Sequence, residues 1–140
     1  MNHLGQGQCI AYSAGSHPRG TVHPFAIQTL RSLGLPVEGL RSKSWEEFAR
    51  PGALPLDFII TVCDGAAGEV CPVWPGKPLT AHWGVEDPAA FTGTAEAQQK
   101  KFHQVALLLR QRLEQFLRLP ITTLDRTTMQ AALKTIGQGE

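Results

Sequence analysis

The longest periodic stretch of the chain runs from Gln98 to Leu117. There Phe102, Val105, Ala106, Leu109, Leu113, Phe116 and Leu117 recur at the three- and four-residue spacing of one helix face. The same rhythm appears over Phe25, Ala26, Thr29, Leu30 and Leu33, behind Pro24 at a first helical position and ahead of Gly34 as a cap. A last helix is predicted from Asp125 to Ile136, after Leu119-Pro120 breaks the long one. Lys100, Lys101, Arg110, Arg112 and Glu114 are expected to form the solvated face of the long helix. Met1 to Gly7 reads as the last turn of a helix with its glycine cap. So short a helix has little stability of its own, and the beginning of the domain is expected to be missing.

A second rhythm is short and β-branched. Phe58-Ile59-Ile60-Thr61-Val62, bounded by Pro55 and by Asp64-Gly65, predicts a buried strand. Ile10–Ala14, closed by Gly15, and Leu79–His82 are two further strand candidates. Ser44 followed by Glu47 predicts a capping box at the start of a short helix that Arg50-Pro51-Gly52 ends. Strands alternating with helices in this order predict an α/β fold, a parallel sheet with helices on its faces. Three strands make that sheet thin.

The chain has 140 residues, enough for one domain with a single core. A net charge of +1 with no basic cluster argues against a nucleic-acid partner. The sequence contains no 18-residue apolar run and no secretory leader, so neither a membrane partner nor export is expected, and a cytoplasmic location is. In such a reducing compartment, three cysteines point to catalytic or redox chemistry more than to structural bridges.

Chemistry concentrates between Asp57 and Ala89. Cys63 follows the predicted strand Phe58–Val62, at the carboxyl edge where ligands gather in open parallel sheets. Cys71 lies eight positions on, across Gly65, Ala66, Ala67 and Gly68. A zinc site would need a closer pair and two further ligands. Two readings stay open on spacing alone: two thiols that can meet across a pliable segment, or two buried small hydrophobes. Asp87 can begin a turn with Pro88, or can serve as an acid. Trp83, beside His82 at the end of a strand, is expected to pack rather than to bind. Cys9 is expected to be structural. His3, His17, His23, His82 and His103 share no metal spacing, and no metal is predicted.

The pieces AYSAGS (Ala11–Ser16), His23-Pro24, LRSKSWEEF (Leu40–Phe48), DFIITVCD (Asp57–Asp64), CPVWPG (Cys71–Gly76) and HWGVEDPA (His82–Ala89) occur in one order along nearly the whole chain. Together they resemble the arsenate reductases of the low-molecular-weight phosphotyrosine phosphatase family. The resemblance implies a flavodoxin-like three-layer α/β sandwich with a four-stranded parallel sheet. Its first strand lies inside the sheet and leads into a C-x₅-R oxyanion loop. Here Cys9, Cys63 and Cys71 are followed six positions on by Gly15, Glu69 and Lys77, so no C-x₅-R loop is present and the first strand is expected to be absent. An unpaired interior edge is costly, and strand exchange in a homodimer is one way to fill it.

The resemblance further implies thiol-dependent reduction of arsenate to arsenite in arsenic detoxification. Cys63 matches the second cysteine of the relay. Cys71 matches the third, across an interval one residue longer than in the Gram-positive form. Asp87 matches the general acid. No bound cofactor is implied; thioredoxin, or glutaredoxin with glutathione, would serve as external reductant. Without the loop, the chain is expected to be inactive alone. The alternatives are a low-molecular-weight protein tyrosine phosphatase-like protein, and a non-catalytic redox or arsenite-binding dithiol module.

Overall fold

Two parallel strands, β1 (Phe58–Thr61) and β2 (Leu79–His82), pair in register from Phe58 opposite Leu79 to Thr61 opposite His82. The computed structural model of the chain describes residues 1–5, 7–62 and 77–138. Around the strands lie α1 (Asn2–Gly5), α2 (Pro24–Ser32), α3 (Ala95–Leu117) and α4 (Arg126–Gln138), with short 3-10 turns at Trp45–Phe48 and Pro88–Ala90. The parallel pair with helices packed upon it is the α/β arrangement that the alternation of strands and helices predicts, and it is consistent with the flavodoxin-like fold that the resemblance implies.

Local signals set the helix ends. His23 caps α2, its Nδ1 accepting from the Phe25 N–H at 3.1 Å, and Pro24 takes the first helical position. The other end closes as a Schellman motif: Gly34, at φ 74°, donates to Arg31 O at 3.0 Å and Leu35 donates to Leu30 O at 2.9 Å. Helix α3 begins at Ala95, three residues ahead of the periodic stretch, because Thr94 Oγ1 accepts from the Ala97 N–H at 3.1 Å.

The core joins β2 to the last two helices. Leu79, Trp83, Phe116, Met129, Leu133 and Ile136 are buried together. Trp83 is 1% exposed and its Nε1 donates to Leu133 O at 3.0 Å, so the indole is packed and satisfied at once, as the sequence suggests. Phe116 of α3 meets Phe58 of β1 edge to face at 5.2 Å. Leu79 and Trp83 donate toward β1, which turns the Thr80 carbonyl to the outer edge of β2. There Gln130 Nε2 of α4 donates to it at 2.7 Å.

Three expectations need correction. Ile10–Ala14 forms no strand: it runs without a ladder, and Ile10 stands 77% exposed. Strand propensity counts only where a neighbour supplies the pairing. Here the Asn2 side-chain amide donates to Ala11 O at 2.9 Å and accepts from the Ala11 N–H at 2.7 Å, and Gly15 makes a single parallel bridge to Ser44. The capping box is half formed. Ser44 Oγ accepts from the Glu46 N–H at 3.2 Å, but both Glu47 oxygens bind Arg41, at 2.9 and 2.8 Å, because a bidentate guanidinium outcompetes a single backbone N–H. That hydrogen bond with Arg41 holds the Glu47 carboxyl below the usual carboxylate range. Arg112, expected on the solvated face, is 5% exposed.

A Cβ on Gly137 would lie 2.7 Å from Trp83 Cδ1 and 2.8 Å from His82 O, so α4 crosses β2 at a distance only glycine permits. Gly137→Ala is expected to lower stability by about 1–3 kcal/mol in urea unfolding, as overpacking does; an unchanged midpoint would refute the close crossing. Asp125 opens α4, its Oδ1 accepting from the Thr128 N–H at 2.7 Å, and that bond lowers its pKa. A depressed folded-state value contributes stability above the unfolded carboxylate pKa of about 3.9 that is lost as pH falls through the folded value. The stability gap between the wild type and Asp125→Asn should therefore shrink between pH 7 and pH 2, measured by unfolding at each pH.

Candidate active site

The parallel ladder does not stop where the strands do. Trp83 donates to Thr61 O at 2.8 Å and Val85 donates to Val62 O at 2.7 Å, so residues 83–85 follow β1 to its carboxyl end. Val62 is the residue before Cys63, and Val85 stands two before Asp87. The chain entering the cysteine segment and the loop carrying the acid candidate are thus stitched together at one sheet edge, where parallel sheets place their chemistry. Thr61 Oγ1 and His82 Nδ1 lie 2.7 Å apart at the same edge.

Asp87 is exposed and caps the Pro88–Ala90 turn, its Oδ1 accepting from the Ala89 N–H at 3.0 Å. One carboxylate oxygen is engaged by that bond. Its neighbour Glu86 turns to Lys101 Nζ at 2.8 Å, so the two adjacent carboxylates have separate partners. Cys63 and Cys71 lie outside the described residues. Cys9 is a half-buried free thiol whose Sγ would stand 3.3 Å from a Cβ on Gly5, in keeping with a packing role. Among the described residues no group of three His, Cys, Asp or Glu side chains is placed to hold a metal ion. No helix among them is long and apolar enough to cross a membrane.

The loop is held from below by α3. Arg112 Nη1 donates to Trp83 O at 2.9 Å and to Gly84 O at 3.1 Å. A guanidinium is the side chain suited to bridge two adjacent carbonyls in a dry place. The charge of Arg112 points to the solvated face, yet its position carries the opposite signal: three residues after Leu109 and four before Phe116, it falls within the apolar stripe.

The sequence pattern of the low molecular weight phosphotyrosine protein phosphatases matches residues 1–130. The chain belongs to this family. Among family members, the arsenate reductase of Bacillus licheniformis is 32% identical over 115 residues, covering 81% of this chain and 78% of that protein. The arsenate reductase of Halalkalibacterium halodurans is 31% identical over 105 residues, 75% of this chain and 72% of that protein, and the one from Bacillus subtilis is 30% identical over the same shares. Family membership agrees with the observed parallel pair.

Asp87→Ala removes the cap of an exposed turn and leaves the core untouched. It is expected to cost about 0.5–2 kcal/mol in thermal or urea unfolding. A larger loss would mean that the carboxylate holds more than the turn.

Proposed function

We propose that this chain belongs to the thiol-dependent reduction of arsenate to arsenite, with Cys63 and Cys71 as relay thiols and Asp87 as the general acid. The observation that carries this reading is the joined edge: the Val62–Val85 hydrogen bond brings the entry to Cys63 and the Asp87 loop together in a chain about 30% identical to arsenate reductases.

In the proposed sequence a nucleophilic thiolate forms a sulfur–arsenic bond with arsenate, and Asp87 protonates the departing oxygen, which leaves as water. Cys63 then attacks that sulfur. A sulfur–sulfur bond forms, the sulfur–arsenic bond breaks, and its electron pair stays on arsenic, which leaves as arsenite. Cys71 attacks Cys63 in turn, frees the first thiol, and leaves a Cys63–Cys71 disulfide for a thioredoxin-type reductant or for glutaredoxin with glutathione. Such reductants are cytoplasmic, and so is the proposed reaction. The nucleophile of the first step requires a C-x₅-R loop, and none of the three cysteines in these 140 residues has an arginine six positions on. The 140-residue chain alone therefore supplies the relay and the acid and does not turn over arsenate.

The cysteine pair disfavours a tyrosine phosphatase, since ester hydrolysis needs a nucleophile and an acid but no resolving thiols. The absence of C-x₅-R from the sequence favours one second reading, a dithiol module that binds trivalent arsenic through soft thiolates. Purified chain, mildly oxidised, is expected to draw a stoichiometric amount of electrons from NADPH through thioredoxin reductase and thioredoxin. Cys63→Ser and Cys71→Ser should each abolish this, and Cys9→Ser should not. Retention of the signal in Cys63→Ser would sink the relay. Thiols protected by arsenite but never oxidised to a disulfide would favour the dithiol module.

A further inference from the structure

Helix α3 meets the acid loop at three points. Gln98, Lys101 and Arg112 fall within about 60° of one another around the helix at about 100° per residue. They engage the loop in turn: Arg112 takes the Trp83 and Gly84 carbonyls at its root, Lys101 takes Glu86, and Gln98 takes its far end. The Gln98 contact differs in kind. Its Nε2 lies 3.3 Å from Pro88 O, 3.3 Å from Ala89 O and 3.4 Å from Phe91 O, so two amide hydrogens are shared among three carbonyls. The Pro88 carbonyl and the Ala89 N–H belong to one planar peptide unit. Gln98 therefore grips the oxygen of the same peptide whose N–H donates to Asp87 Oδ1 at 3.0 Å.

We propose that Gln98 is a positioning residue for the acid: by fixing the Pro88–Ala89 peptide through its oxygen, it aims the N–H that orients the Asp87 carboxylate. A planar peptide held at one end cannot rotate without breaking that hold, so the side chain of α3 sets the direction of a carboxylate it never touches. Donation to the oxygen also polarises the unit and strengthens the N–H as a donor. Gln98 lies on the rigid helix while Asp87 lies on an exposed turn, the division expected where a loop residue must be held by a scaffold.

This inference rests on Asp87 acting as the acid, but its test needs no turnover, so the two can fail separately. The amide of Ala89 donates to a carboxylate, and its nitrogen-15 and proton shifts step when that carboxylate is protonated. In the wild-type chain, acid titration followed by NMR should show this step, and Asp87→Asn should remove it; persistence in Asp87→Asn would assign it to Glu86 and overturn the proposal. Gln98→Met, similar in size and lacking the donors, is expected to reduce the amplitude of the step to less than half. Gln98→Ala should do the same should the methionine variant fold poorly. Met129→Ala, which weakens the core away from the loop, should lower stability and leave the step unchanged. An undiminished step in both Gln98 variants, or an equal loss in Met129→Ala, overturns the positioning role.

Discussion

Trp83 is bonded through every polar atom it has. Its N–H donates to Thr61 O, its carbonyl accepts from Arg112, its indole N–H donates to Leu133 O, and its ring fills the core between β2 and α4. A residue fixed on three sides cannot shift without leaving buried polar groups unsatisfied, each at a cost of about 1–3 kcal/mol. This one anchor therefore ties strand, long helix and last helix together and fixes the direction in which the chain leaves the sheet. The glycine at position 137 answers to the same shortage of space: α4 passes so close to Trp83 and His82 that a single methyl would collide.

From that anchor outward, hold passes from backbone to side chain. Residues 83–85 are kept by the extended ladder to Thr61 and Val62, and beyond Val85 the loop is gripped by Lys101 and Gln98 instead. Surface ion pairs such as Lys101 with Glu86 contribute modestly, on the order of 0–1 kcal/mol. Lys101 also stands 5.5 Å from the centre of the Phe91 ring, which adds a second contact across the same loop. The result is an exposed turn tied to the long helix by side-chain contacts.

Much of this was legible in the sequence, and the exceptions have physical causes. Helices were legible because their periodicity and caps are local: Pro24, Gly34 and Asp125 stand at the ends they predict. The Phe58 and Leu79 strands were legible because each has the other as partner. Ile10–Ala14 has the composition of a strand and none of the pairing, since pairing is decided by a distant neighbour that local composition cannot supply. Arg112 departs from the solvated face that its charge suggests because its position within the stripe prevails. A helix stripe is apolar for packing reasons, but where strand-end carbonyls need a donor, a long cation satisfies them from within that stripe. The family was legible as motifs, whereas the contact of Gln98 was not, because it depends on a peptide plane ten residues away in sequence and visible only in three dimensions.

The same scaffold serves two chemistries that share nucleophilic attack and part company after it. A phosphatase and an arsenate reductase both need an oxyanion held near an acid, and the role proposed for Asp87 serves either. The divergence comes when the thiol–oxyanion adduct must be resolved. Water resolves a thiophosphate, because phosphorus keeps its oxidation state; arsenic accepts two electrons, and only a second thiol can supply them while forming a disulfide. Under the proposed roles, a chain whose second thiol candidate follows directly in sequence from the strand joined to the Asp87 loop carries both groups that reduction requires. The hydrogen bond between Val62 and Val85 ties the chain that enters the cysteine segment to the loop that carries Asp87, the two segments that the proposed reaction needs side by side.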